Sequence, residues 1–61
     1  MTHMPHVYEF QIHGVPVARM NFRTTLAPNE MDGIRLMLAN WYGVLMDEVC
    51  FMYESINVTE E

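Results

Sequence analysis

The chain has 61 residues and a net charge of −5, and its only strongly basic residues are three arginines. Three arginines do not form the basic clusters that proteins use to bind nucleic-acid phosphates tightly, and the same shortage disfavours an anionic membrane surface. A single cysteine excludes a disulfide within one chain and favours a reducing compartment, so the expected location is the cytoplasm, of a host cell if the chain is phage-encoded.

The length predicts one domain, which we place at residues 6–58. Residues 1–5 are expected to be a disordered tail or a cloning remnant, and residues 59–61 an acidic tail. A chain this short buries just enough apolar surface to balance the entropy cost of folding. Since no internal disulfide can add stability, the sequence predicts a partner subunit, and we expect a homodimer.

The first half of the chain is predicted to form a β-hairpin. Apolar and polar residues alternate over residues 6–13, which is the period of a half-buried strand, and a second strand follows at Val15–Phe22. A two-residue turn at His13 and Gly14 is favoured because it points the nitrogen of Pro16 away from the first strand. A strand that contains a proline belongs at a sheet edge.

An amphipathic helix is predicted from Pro28 to Tyr42, because Pro28 suits a first helical position and Gly43 suits a C-terminal stop. At about 100° per residue, one arc of this helix collects apolar side chains: Met31, Ile34, Met37, Leu38, Trp41 and Tyr42. We expect this arc, with Trp41 near its centre, to face the core. Leu36 falls among the polar residues and is the expected surface anchor.

A third strand is predicted over residues 48–56. If the second strand is an edge, the third must pair with the first, which gives the strand order 2-1-3. The expected fold is therefore a small α+β domain of order β-β-α-β, with a three-stranded antiparallel or mixed sheet and one helix packed on one face.

The sheet face without the helix carries the main functional prediction. Strand alternation makes this face half apolar, whereas an uncovered face in a monomer is normally more polar. Either the tails and loops cover it, or a second copy or a target does. The predicted partner-binding or dimer interface comprises this face and the helix anchor: Val7, Ala18, Met20, Phe22, Leu36, Cys50 and Met52. An acidic surface is predicted at Asp47, Glu48 and Glu54.

Candidate catalytic and metal-binding residues are few. Cys50 lies mid-strand among apolar neighbours, which is typical of a buried, inert thiol rather than a nucleophile. Asp47 and Glu48 are adjacent and point apart on a strand, so they do not make an acid–base pair. Tight metal-ligand spacing is absent among His3, His6 and His13. The sequence therefore predicts no enzyme activity, no cofactor and no metal site.

The favoured function is a small acidic protein-binding module, dimeric, that inhibits or regulates a partner protein. By size and layout alone, such chains are typical of phage-borne inhibitors, antitoxins and anti-defence proteins. The charge favours a basic partner, for example a nucleic-acid enzyme. A structural subunit of a larger assembly is the alternative. A third hypothesis, single-stranded nucleic-acid binding on the open sheet face, has only Phe22 as a stacking aromatic there.

Overall fold

The computed structural model describes residues 4–56. Its elements are β1 (His6–Ile12), β2 (Val15–Phe22), α1 (Pro28–Tyr42), a 3₁₀ turn (Met46–Glu48) and β3 (Val49–Ser55). The sheet has the order β2-β1-β3, and both outer strands run antiparallel to β1. The predicted α+β fold, element order and strand order are therefore confirmed. Of the predicted tails, residues 1–3 and 59–61 lie outside the described residues.

The hairpin turn forms where the sequence predicts it. His13 and Gly14 both have positive φ angles, 52° and 80°, and Ile12 pairs with Val15 on either side of them. A two-residue turn of this kind needs positive φ at both positions because its twist then matches that of the strands. Histidine tolerates that conformation better than most residues, and glycine adopts it freely.

A β-bulge in β2 changes the orientation of its side chains. Gln11 pairs with Pro16 and Phe10 pairs with Ala18, so Val17 is one extra residue on β2. Side chains alternate with a period of two, and one extra residue therefore moves every later side chain to the other face.

The prediction that the second half of β2 faces away from the helix is consequently wrong. Ala18, Met20 and Phe22 pair with β1 residues on the helix side and pack against the core. Strand alternation counted from the turn places these three residues on the opposite face. The bulge, which has no strong signal in the sequence, is the physical reason for the difference.

The helix begins and ends as predicted. Glu30 accepts the backbone N–H of Ala27 at 2.9 Å through Oε1, and its charge lies in the first turn, where the helix dipole is positive. Gly43 adopts a left-handed conformation with φ of 70°, and its N–H donates to the carbonyl of Ala39. This is a common helix stop, since glycine has no Cβ to oppose the conformation.

The core lies between α1 and the sheet. Its buried residues come from β1, α1 and β3: Tyr8, Phe10, Ile12, Met31, Leu38, Ala39 and Val49. The hydroxyl of Tyr8 accepts the backbone N–H of Leu26 at 2.9 Å, which ties the segment before the helix to the central strand.

Arg35 ties the helix to β3. Its Nε donates to the carbonyl of Val49 at 2.8 Å and its Nη2 donates to the carbonyl of Met46 at 3.0 Å. The side chain is largely shielded from solvent, and Asp32 lies 3.7 Å from it one helical turn earlier. Arg35 therefore serves the fold, and its charge is directed into the molecule.

Candidate protein-binding surfaces

Most of the predicted interface residues are buried or partly buried in the fold. Val7 is only 3% exposed, although it points away from the helix. Ala18, Met20 and Phe22 are partly buried against the core, and the ring of Phe22 meets that of Tyr8 edge-on at 5.8 Å. In the structure, these four residues stabilise the fold.

The remaining predicted interface residues are exposed but lie apart. Cys50 and Met52 lie on the sheet face away from the helix, and Leu36 lies on the helix. The prediction that Cys50 is buried is wrong, because no element of residues 4–56 packs on that face of β3. Its cross-strand neighbour is Gln11, which is not a base that would activate a thiol.

The sheet face away from the helix is polar rather than half apolar. Beside Val7, Cys50 and Met52, the register places on this face Glu9, Gln11, Arg19, Asn21 and Glu54. Gln11 donates from Nε2 to Glu9 at 3.1 Å and approaches the Met52 sulfur at 3.0 Å. The inference from a bare apolar face therefore fails, and the face also lacks Phe22, the aromatic on which the nucleic-acid hypothesis depended.

The exposed apolar surface lies instead at the end of the helix. Trp41 is 75% exposed and stacks on Tyr42 with ring centroids 6.1 Å apart; Met37, one turn earlier, is also exposed. We call Met37, Trp41 and Tyr42 the helix-end patch. The prediction that Trp41 faces the core is wrong.

The exposure of Trp41 follows from the direction in which the helix faces the sheet. The buried helix residues are Met31, Leu38 and Ala39. At about 100° per residue they lie toward one edge of the predicted arc, and Ala39 lies outside it. The other side of the arc, which carries Met37 and Trp41, therefore extends beyond the sheet. The arc covers more than a third of the helix circumference, and its apolar pattern did not indicate which part the sheet would cover.

A second apolar feature lies between α1 and β3. A cavity of about 470 Å³ opens there, lined by residues that include Tyr8, Leu26, Met31, Arg35, Phe51 and Tyr53. Phe51 and Tyr53 point to the helix side of the sheet, yet they are 43% and 45% exposed. The Tyr53 hydroxyl lies 2.7 Å from Nδ1 of His6. The outer edge of the core is therefore open along β3.

The predicted acidic residues do not form one surface. Glu48 accepts the backbone N–H of Leu45 at 2.8 Å, and its other carboxylate oxygen lies 2.6 Å from Nε2 of His13. The Leu45 hydrogen bond, followed by that with His13, lowers the pKa of Glu48. Glu48 thus holds the 3₁₀ turn to the hairpin, while Asp47 and Glu54 are exposed at opposite ends of β3.

Two features are absent from residues 4–56, a cluster of metal-ligating side chains and a membrane-spanning helix. No group of three or more histidine, cysteine, aspartate or glutamate side chains is placed to hold a metal ion there. His3, one of the three candidate histidines, lies outside this range. No helix in the same range is long and apolar enough to cross a bilayer.

Comparisons with protein-family models, curated proteins and solved structures found no match to this chain. Its function is therefore argued from the surfaces described above.

Proposed function

We propose that this chain is a small acidic protein-binding module, dimeric and cytoplasmic, that inhibits or regulates a partner protein. The observation that carries the proposal is the exposure of Trp41 in the helix-end patch. Tryptophan and tyrosine are enriched among the residues that dominate protein–protein binding energy. A tryptophan that is three-quarters exposed contributes little to the fold, so contact with a partner best explains a tryptophan at this position.

The helix-end patch is suited to tight contact because it is rigid. Trp41 and Tyr42 lie in the last turn of a helix that the Gly43 stop and the Arg35 hydrogen bonds hold in place. Aromatic side chains have few rotatable bonds and lose little entropy on binding. The partner is expected to supply an apolar pocket for the indole ring.

The charge distribution favours a basic partner. The net charge is −5, and Arg35 is turned inward, which leaves Arg19 and Arg23 as the exposed arginines among the described residues. Opposite charges raise the rate of association, and salt screens this effect. Association with the partner is therefore expected to slow as ionic strength rises.

The test compares three forms of the protein in quantitative cross-linking and mass spectrometry from lysate of the native host. Trp41→Ala should lose a discrete partner that the wild type retains, and Val15→Ala, which truncates an apolar side chain exposed on β2, should keep it. Trp41→Ala should remain folded because alanine favours helices. Equal recovery by all three forms, or no partner recovered by the wild type, would contradict the proposal.

A further inference from the structure

The two edges of the sheet differ in how they are protected. β2 carries Pro16 and the bulge at Val17, both of which discourage further strand pairing. β3 pairs with β1 without a bulge and contains no proline, no glycine and only one charged residue, Glu54. β3 is therefore the edge to which another strand can add.

The hydrogen bonds at the start of β3 show which of its backbone groups are free. Val49 donates its N–H to Met46 and accepts from Arg35 at its carbonyl, so both of its groups point away from β1. Alternate residues of a strand point their backbone groups to the same side. The backbone N–H and C=O groups of Phe51 and Tyr53 therefore also point away from β1. Within residues 4–56, no strand lies beyond β3 in the sheet to bind them. The N–H of Ile56, an even-numbered residue, accordingly donates to the carbonyl of Pro5, which directly precedes β1.

We propose that β3 pairs antiparallel with β3 of a second copy, about a two-fold axis at Met52, to form a six-stranded sheet. This inference deepens the proposed function and rests on its expectation of a dimer. The pairing places Phe51 of each copy opposite Tyr53 of the other copy. Each of these two pairs exchanges two backbone hydrogen bonds. It also covers the half-exposed rings of Phe51 and Tyr53 beside the cavity. Aromatic side chains that lie opposite each other on neighbouring strands stabilise a sheet.

The charges select this register among the symmetric alternatives. Centring the axis on Phe51 would place Tyr53 opposite Val49, whose backbone groups are already bonded, so Tyr53 would stay unpaired. Centring it on Met52 leaves only Ser55 opposite Val49. Centring it on Glu54 would place the Glu54 carboxylates of the two copies directly opposite each other. Centring it on Tyr53 would place the same two carboxylates diagonally across the strand pair, still close to each other. With the axis at Met52, Glu54 lies opposite Cys50, and no like charges face each other.

The chemistry of the edge favours a second copy over the strand of another protein. An isologous interface must be self-complementary, and this one opposes aromatic to aromatic and methionine to methionine. β3 holds one carboxylate and no cation, so it offers no charge pattern that would select a different partner strand.

Disulfide trapping tests both the pairing and the register. In a Cys50→Ser background, Met52→Cys places two thiols at a non-hydrogen-bonded pair on the axis, where the Cα separation of about 4.5 Å suits a disulfide. Glu54→Cys is the matched control, since its two thiols would lie far apart. Mild oxidation should give a covalent dimer with Met52→Cys and only traces with Glu54→Cys. Equal linking by both variants, or by neither, would overturn the proposal.

A second measurement keeps every native side chain. Chemical synthesis with an N-methyl group on Tyr53 blocks an outward N–H, and N-methyl Arg19 is the control on the protected edge. Each dimer then loses two hydrogen bonds, so dimerisation should weaken about tenfold or more with N-methyl Tyr53 and stay unchanged with the control. Light scattering should give twice the 7.2 kDa chain mass for the wild type.

A wild type that stays monomeric, or a dimer unaffected by N-methyl Tyr53, would overturn the proposed edge pairing. Binding of a partner protein through Trp41 is judged separately, because loss of the partner with Trp41→Ala is scored whether or not a dimer forms.

Discussion

Tyr8 illustrates how one side chain joins separate parts of this fold. Its ring lies in the core and contacts the rings of Phe22, Phe51 and Tyr53, which come from the other two strands. Its hydroxyl accepts the N–H of Leu26 and so satisfies a backbone donor that strand pairing does not reach. A tyrosine is required here because phenylalanine fills the same space without an acceptor.

Replacing Tyr8 with phenylalanine should therefore destabilise the protein. We expect the free energy of unfolding to fall by about 1 kcal/mol, since the Leu26 N–H loses its partner. Urea unfolding followed by circular dichroism measures this change. The control is Tyr42→Phe, which removes an exposed hydroxyl and should be neutral. An equal effect of the two substitutions would show that the Leu26 hydrogen bond does not contribute.

Glu48 should make stability depend on pH. Its folded-state pKa is lowered by the Leu45 hydrogen bond and by His13, so folding favours the charged carboxylate. This contribution is present above the pKa of the unfolded carboxyl, roughly 4.3, and is lost as the pH falls through the lower folded-state value.

Glu48→Gln should accordingly be less stable than the wild type at pH 7, and the gap should close as the pH approaches 3. Urea unfolding at pH 7, 5 and 3 gives the comparison, and Asp47→Asn removes the same charge at the neighbouring position as a control. A gap that stays constant over this range would refute the assigned role of Glu48.

Among individual residues, the sequence predicted burial better for the central strand than for the flanks. Tyr8, Phe10 and Ile12 alternate regularly, and all three are buried as expected. The position of Trp41 near the centre of the apolar arc and the apolar neighbours of Cys50 predict burial, yet both residues are exposed. How far a helix arc or an edge strand extends beyond its cover depends on the tertiary arrangement, which local sequence does not encode.

Alanine substitutions at two glycines test the conformation of the hairpin turn and of α1. Gly14 has φ of 80° in the hairpin turn, whereas Gly33 lies in the middle of α1 with no atom near the position of an added Cβ. Gly14→Ala should lower the free energy of unfolding by about 1 kcal/mol, because alanine resists positive φ. Gly33→Ala should raise it by about 0.5–1 kcal/mol, because glycine weakens a helix interior. Thermal unfolding of the two variants should show shifts of opposite sign, and shifts of the same sign would contradict the account.

At the scale of elements, local signals predicted boundaries well and orientation poorly. Pro28 and Gly43 marked the ends of α1, and the limits imposed by Pro16 set the hairpin turn. The bulge at Val17 left the bounds of β2 unchanged but turned its second half toward the helix. A bulge is set by how the strand packs against its neighbours, so the pattern of alternation did not reveal it.

At the scale of the whole molecule, the difference between the two sheet edges favours a closed dimer over an open-ended assembly. A structural subunit that extends a sheet needs both of its edge strands to pair with further strands. Pro16 and the bulge oppose such pairing at β2. Pairing through β3 alone closes after two copies. At this scale the sequence predicted a partner subunit from chain length, and this stays a prediction. The bulge turned three residues of the predicted interface, Ala18, Met20 and Phe22, toward the core.

Hydrogen exchange at the β3 edge tests the central claim, which is that this edge binds a second copy. The amide protons of Phe51 and Tyr53 should gain protection as protein concentration rises, while that of Arg19 on the blunted β2 edge stays unprotected. If Phe51 and Tyr53 exchange at unprotected rates at every concentration, β3 remains a free edge and the claim is wrong.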